Sequence, residues 1–198
     1  MTRVVLFITL LFSFCLAQMS WGAAEELKPI DLQSIQAHFV QEKHLKILSR
    51  PIVSTGSLTF QSPGSLRWEY LSPIRSILLM HGSKIKKFIE RDGALIEEKG
   101  MRLDFMQFVL ADIGSWLDGR FTENEMFEVA FAGVHTIVLT PKEEMLAGLI
   151  SKIELTFATR KGLLNEVKIV EGADSYTTLT FKNRILNQEI PASIFDQK

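Results

Sequence analysis

Cysteine is all but absent. The single one, Cys15, lies inside an apolar N-terminal run, so a chain that loses this run has no disulfide, no thiolate nucleophile and no sulfur ligand for a metal. Early charge is equally scarce, since Arg3 is the only charged residue before Glu25. A membrane-spanning stretch is missing: the run Val4 to Ala17 is almost unbroken but has only fourteen residues, short of the roughly twenty that cross a bilayer. There is no basic excess either. Of 22 basic residues only Arg3 precedes Glu25, leaving 21 against 23 acidic ones, which speaks against nucleic acid as a partner.

Catalytic signatures are lacking as well. The sequence holds no nucleophile elbow, phosphate loop, dinucleotide fingerprint or paired-histidine metalloprotease motif. His38, His44, His81 and His135 are scattered over separate strands and turns, a spacing that suits surface residues better than metal ligands. Glu97-Glu98, Glu123/Glu125/Glu128 and Glu143-Glu144 read as solvated loop and edge charge. No cofactor, metal or enzyme activity is expected.

What is present begins with a leader. Arg3, the apolar run and the small residues of Ser20-Trp21-Gly22-Ala23-Ala24 form a secretory signal peptide, taken as residues 1–23 with cleavage after Gly22, Ala23 or Ala24. An uncleaved anchor is disfavoured by length, and a lipid anchor at Cys15 by the bulky Phe14 before it. An exported chain without cysteine depends on its core for stability and fits a bacterial envelope compartment, the periplasm, better than a disulfide-rich exterior. Residues 24–198 are long enough for one domain with one large core.

Along that domain, Leu27, Ile30, Leu32 and Ile35 predict a short helix over Glu25 to Gln36 with Asp31 near its N-terminus. From Ala37 the period approaches two, placing Phe39, Gln41, Lys43, Leu45 and Ile47 on one face of a first strand. In the next run Gly56, Leu58 and Phe60 share a face, and after the Ser62-Pro63-Gly64 turn Leu66, Trp68 and Tyr70 alternate with Arg67 and Glu69. Ser76 to Met80 is apolar on both faces, and Asp92-Gly93 signals a hairpin after Lys84 to Arg91. Met106, Val109, Leu110, Ile113, Trp116 and Leu117 then recur at helical steps, with a break expected near Asp112 to Gly114 and a stop at Gly119. Sheet patterns return at Phe127/Val129/Phe131, Ile137/Leu139, Ile153/Leu155/Phe157, Val167/Ile169 and Thr177/Leu179/Phe181, with a polar connection over Pro141 to Ile150. The total is ten or so strands and two or three helices in one α+β domain, whose antiparallel sheet must curl or split.

Eleven phenylalanines lie beyond the leader, along with Trp68, Trp116 and five methionines. They either fill a sheet-on-helix core or, in part, line a pocket between a curved sheet and the apolar helix. Pattern alone leaves both readings open.

Phe39-Val40-Gln41, Gly56-Ser57-Leu58-Thr59-Phe60, Ser62 to Tyr70, Pro73 and Ile77 to Gly82 together resemble the LolA-like periplasmic lipoprotein carriers. The match is most specific over residues 37–90. The resemblance implies an unclosed β-barrel whose mouth is covered by helices. Its hydrophobic cavity would take lipoprotein acyl chains, or another lipid, from an inner-membrane exporter to an outer-membrane acceptor. The sheet residues expected to line the cavity are Leu58, Phe60, Leu66, Trp68, Tyr70, Leu78, Met80 and Phe88. The helix would add Phe105, Met106, Val109 and Leu110. The well-studied carriers have a basic residue before the proline of the third strand that bonds the lid; here that place is Ser62, and Arg67 is no equivalent, so cargo such as a glycolipid or acylated pigment enters as an alternative. A sensor or scaffold domain binding a protein partner is the competing class, and would need an exposed patch rather than an enclosed pocket.

Overall fold

The alternation of Ser65 to Leu71 and its neighbours is realised as one continuous ladder. The computed structural model describes residues 31–198 apart from 83, 99–104, 118–124, 159–162 and 197–198. The leader, the first part of the helix expected from Glu25, the helix start at Met101, the stop at Gly119 and the turn at Arg160 to Gly162 lie outside the described residues.

Eleven strands form a single antiparallel sheet. In chain order they are β1 (Ser34–His44), β2 (Ile52–Gln61), β3 (Ser65–Ser72), β4 (Ser76–His81), β5 (Lys84–Arg91) and β6 (Ala94–Glu97), then β7 (Phe127–Phe131), β8 (Thr136–Pro141), β9 (Lys152–Phe157), β10 (Leu164–Gly172) and β11 (Ser175–Leu186). Two meanders, β1 to β6 and β7 to β11, are joined where β1 pairs with β11, giving the order β6-β5-β4-β3-β2-β1-β11-β10-β9-β8-β7. The edges β6 and β7 are not paired with each other, so the sheet is not closed. Register irregularities at Gln36/His38, Thr55/Gly56, Leu164/Glu166 and Val170/Gly172 bend it. One buried cluster takes in inner-face residues from β4 to β8, including Leu78, Trp68, Leu58, Phe39, Leu179, Val167, Leu155 and Ile137. A flat sheet at about 4.8 Å per strand could not bring those strands to one core, which is why it must curl.

Strands β6 and β7 are the two edges of the sheet, and α1 (Phe105–Leu117) lies between them in the chain. This helix buries Val109, Ile113, Trp116 and Leu117 in the same inner cluster. The expected break at Asp112 to Gly114 does not occur; the helix runs through. Gly114 serves instead as the point of close approach, since a Cβ there would stand 2.7 Å from the Phe60 ring.

Three other expectations change. Ser34 to Gln36 are extended, not helical: Ile35 lies between Phe60 and Leu186, and ladders on both sides outweigh a local three-residue spacing. The first strand ends at His44, leaving Leu45 and Ile47 in the connection. The segment Pro141 to Ile150 contains a single helical turn, α2 (Glu144–Ala147). Helix coverage among the described residues is therefore α1, α2 and a 3-10 turn (Ala192–Phe195), less than the set of covering helices expected. The Asp92-Gly93 hairpin is as read, with Arg91 paired to Ala94 and both turn residues at positive φ, 52° and 77°.

Candidate functional site

The inner face of β1 to β4 is an aromatic wall. Alternation puts Phe60 and Leu58 of β2, Leu66 and Trp68 of β3 and Leu78 of β4 side by side, each almost wholly buried. Tyr70 and Met80 are partly buried against the same cluster. Trp68 is the centre. Its ring stacks on Phe39 at 4.1 Å between centroids and 25° between planes, with Phe181 edge-on at 6.3 Å and Tyr70 at 6.2 Å. Gly56 makes room for this stack: any side chain there would run into the Phe39 ring and the Glu69 carbonyl. A polar layer ends the wall toward the β1–β2 connection, where the Tyr70 hydroxyl donates to Gln41 Oε1 at 2.7 Å and Lys43 Nζ lies 3.2 Å from Glu171.

From the other side α1 lays Val109, Ile113 and Trp116 into the cluster, and Trp116 meets Phe127 edge-on at 6.4 Å. Two polar atoms stand out in this apolar interior. The indole nitrogens of Trp68 and Trp116 are both buried with no hydrogen-bond partner among the described residues. An unmet buried N–H costs about 1–3 kcal/mol.

Of the wall residues expected from sequence, Leu58, Phe60, Leu66, Trp68, Tyr70, Leu78 and Met80 come together, with Val109 opposite them. Phe88 does not join them. The tight turn pairs His81 with Lys84, and counting back along both strands sets Phe88 opposite Ile77, on the outer face with Leu79 and Leu95. The side chains of Phe105, Met106 and Leu110 lie outside the described residues. Phe39, Phe181, Ile113 and Trp116 were not among the expected lining residues. The period-two and helical patterns mark all four as inward-facing, but the pairing of β1 with β11 that brings Phe181 to Trp68 has no local signal.

The outer face of the same strands is polar and clamped. Glu69, itself buried, accepts from Arg67 at 2.7 and 3.1 Å and from Arg75 at 2.9 Å. Burial alone would raise the Glu69 carboxyl, but the hydrogen bonds and charges of Arg67 and Arg75 outweigh it and hold it below the usual carboxylate value. Arg67 Nη1 also donates to the Ile194 carbonyl at 3.3 Å, tying down the C-terminal turn whose Phe195 is buried. Arg67 thus faces away from Trp68 and holds the tail.

Over residues 31–198 the chain matches the family model described as outer membrane lipoprotein carrier protein LolA. It belongs to that family. An outer-membrane lipoprotein carrier protein of Azotobacter vinelandii is 23% identical over 203 residues, covering 99% of this chain and 93% of the relative. Another, from Pseudomonas fluorescens, is 25% identical over 147 residues, covering 72% and 66%. Among solved structures, a LolA superfamily protein from Nitrosomonas europaea superposes with a TM-score of 0.44 at 10% identity, covering 87% of this chain and 93% of that one. Among the described residues no helix is long and apolar enough to cross a membrane.

Proposed function

We propose that this protein is a non-enzymatic periplasmic carrier, exported by a leader over residues 1–23. Its single domain, residues 24–198, shields acyl chains of lipoproteins or a related lipid between an inner-membrane exporter and an outer-membrane acceptor. The observation that carries this reading is the aromatic wall around Trp68 packed with one three-turn helix, with one buried indole nitrogen on the sheet and one on the helix that have no partner among the described residues. An acyl chain entering there replaces α1 against Leu58, Phe60, Trp68 and Leu78, and its ester or amide carbonyl accepts from an indole. Family membership supports the same ligand class.

Magnitudes make the exchange reversible. Lifting Val109, Ile113, Trp116 and Leu117 into water would cost about 6–12 kcal/mol, at about 1.5–3 kcal/mol each, too much for frequent spontaneous opening. A saturated chain of about fifteen methylenes, at about 0.8 kcal/mol each, gains about 12 kcal/mol on burial. The net gain is about 0–6 kcal/mol, well below the gross burial energy, so an acceptor of higher affinity empties the carrier.

The test is to purify the protein from envelope extract and identify bound lipid by mass spectrometry, then displace a hydrophobic fluorophore with acyl ligands. Acylated lipid is the expected finding, and a lipid-free protein with no displacement sinks the reading. Trp68→Glu or Leu78→Glu should abolish loading. Trp68→Phe, which keeps a ring and loses the N–H, should fold and bind acyl ligand up to about tenfold more weakly; unchanged affinity removes the indole from the mechanism.

A further inference from the structure

One end of the sheet carries apolar side chains that the fold does not use. The β1–β2 connection reads Leu45-Lys46-Ile47-Leu48-Ser49-Arg50-Pro51, where a turn would ordinarily show glycine, asparagine or aspartate. Ile47 is 87% exposed, and Leu48, Ile52 and Val53 beside it are exposed too. The neighbouring end of β3 and the β3–β4 turn present exposed Leu71 and Ile74. These tips are adjacent because β2 pairs with β3, Thr55 lying opposite Ser72. Ile52 and Val53 therefore continue past the end of β3, and the β1–β2 tip projects with Leu71 and Ile74 as its shoulder. Six of the thirteen large apolar side chains exposed among the described residues sit on these two tips.

Their charge is one-sided. Residues 43–53 contain Lys43, His44, Lys46 and Arg50 and no acid; residues 71–76 contain Arg75 and no acid. The acids nearby lie to the side: Glu42 precedes the tip, Glu171 pairs with Lys43, and Asp174 on the β10–β11 turn meets Lys46 at 3.3 Å in a pair exposed on both sides, of a kind worth little in water. Arg75 is engaged by Glu69. A protruding aliphatic tip that carries Arg50 and the exposed, loosely paired Lys46 fits the headgroup layer of an anionic bilayer, where aliphatic tips lose water and cations meet phosphate.

We propose that this end of the sheet seats on an anionic membrane surface, with Ile47, Leu48 and Ile74 entering the headgroup layer and Lys46 and Arg50 lying among lipid phosphates. The contact is independent of whether the interior carries acyl chains. It brings the protein to a bilayer without a protein receptor.

The scarcity of cysteine makes the test clean. In a Cys15→Ser background, single cysteines are placed by Ile47→Cys, Ile74→Cys and Val134→Cys, the last exposed on the β7–β8 turn at the opposite end of the sheet. Each is labelled with an environment-sensitive fluorophore and mixed with vesicles of phosphatidylcholine alone or with phosphatidylglycerol. The label at 47 and 74 should brighten and shift to the blue with the anionic vesicles, weakly with the neutral ones, and the label at 134 should not respond. Lys46→Gln with Arg50→Gln should weaken vesicle binding about 25-fold, at about fivefold per charge. No response at 47 and 74 with either vesicle, or an equal one at 134, overturns the proposal.

Discussion

Strand β3 presents two unlike surfaces one residue apart. On its inner side Leu66, Trp68 and Tyr70 join a packed apolar wall held by shape, and the Trp68 indole nitrogen at its centre has no partner among the described residues. On its outer side Arg67 and Glu69 form a charged clamp with Arg75 that also holds the C-terminal turn. Non-directional packing can exchange one apolar partner for another at little net change, so the inner face suits a ligand that comes and goes. Charged hydrogen bonds fix one geometry, so the outer face suits a permanent attachment. Strand β3 thus carries a non-directional apolar face and a directional charged face back to back.

Three substitutions break or sharpen that contrast. The largest effect belongs to Trp68→Ala, which empties the centre of the wall and should lower unfolding stability by about 3–5 kcal/mol in denaturant titration; a loss under about 1 kcal/mol would mean the wall is loosely packed before any ligand arrives. Next comes Glu69→Gln, expected to cost about 2 kcal/mol near neutral pH because two guanidinium groups lose a charged acceptor. Its effect should depend on acidity. Glu69 has a folded pKa below its unfolded value, so its contribution is present above the unfolded value, about 4.3, and fades as pH falls through the folded one. The gap between parent and Glu69→Gln should therefore be constant at neutral pH and close in acid, whereas the Trp68→Ala gap should persist; a Glu69→Gln gap that stays open in acid would assign the clamp to packing. The smallest effect is Gly114→Ala. The new methyl meets Phe60 and should cost about 1 kcal/mol, the overpacking partly offset by helix propensity. Phe60→Leu in the same chain should recover most of it, and additive losses would show that α1 does not rest on Phe60.

Much of this was legible in the chain itself. Period-two alternation marked Leu58/Phe60 and Leu66/Trp68/Tyr70 because a strand's side chains point to opposite faces by construction, and Asp92-Gly93 announced its hairpin because few residue pairs accept two positive φ values. Phe88 shows where reading stops. Ser76 to Met80 is apolar on both faces, so composition there does not say which face is inner, and only the pairing of His81 with Lys84 assigns Phe88 outward. Ser34 to Gln36 shows the same limit in another form, a helical spacing overruled by partners on two sides.

By itself the sequence determined the strands, the apolar helix, the missing disulfides and the aromatic wall, since each follows from local stereochemistry and residue type. Only the tertiary structure decided that Phe181 reaches Trp68, that α1 packs its buried residues into the same cluster, and that Arg67 holds the tail. Those facts depend on the pairing of β1 with β11, a contact between residues more than a hundred positions apart. Loop closure over such a distance is a property of the whole chain's packing, and no short stretch of residues encodes it.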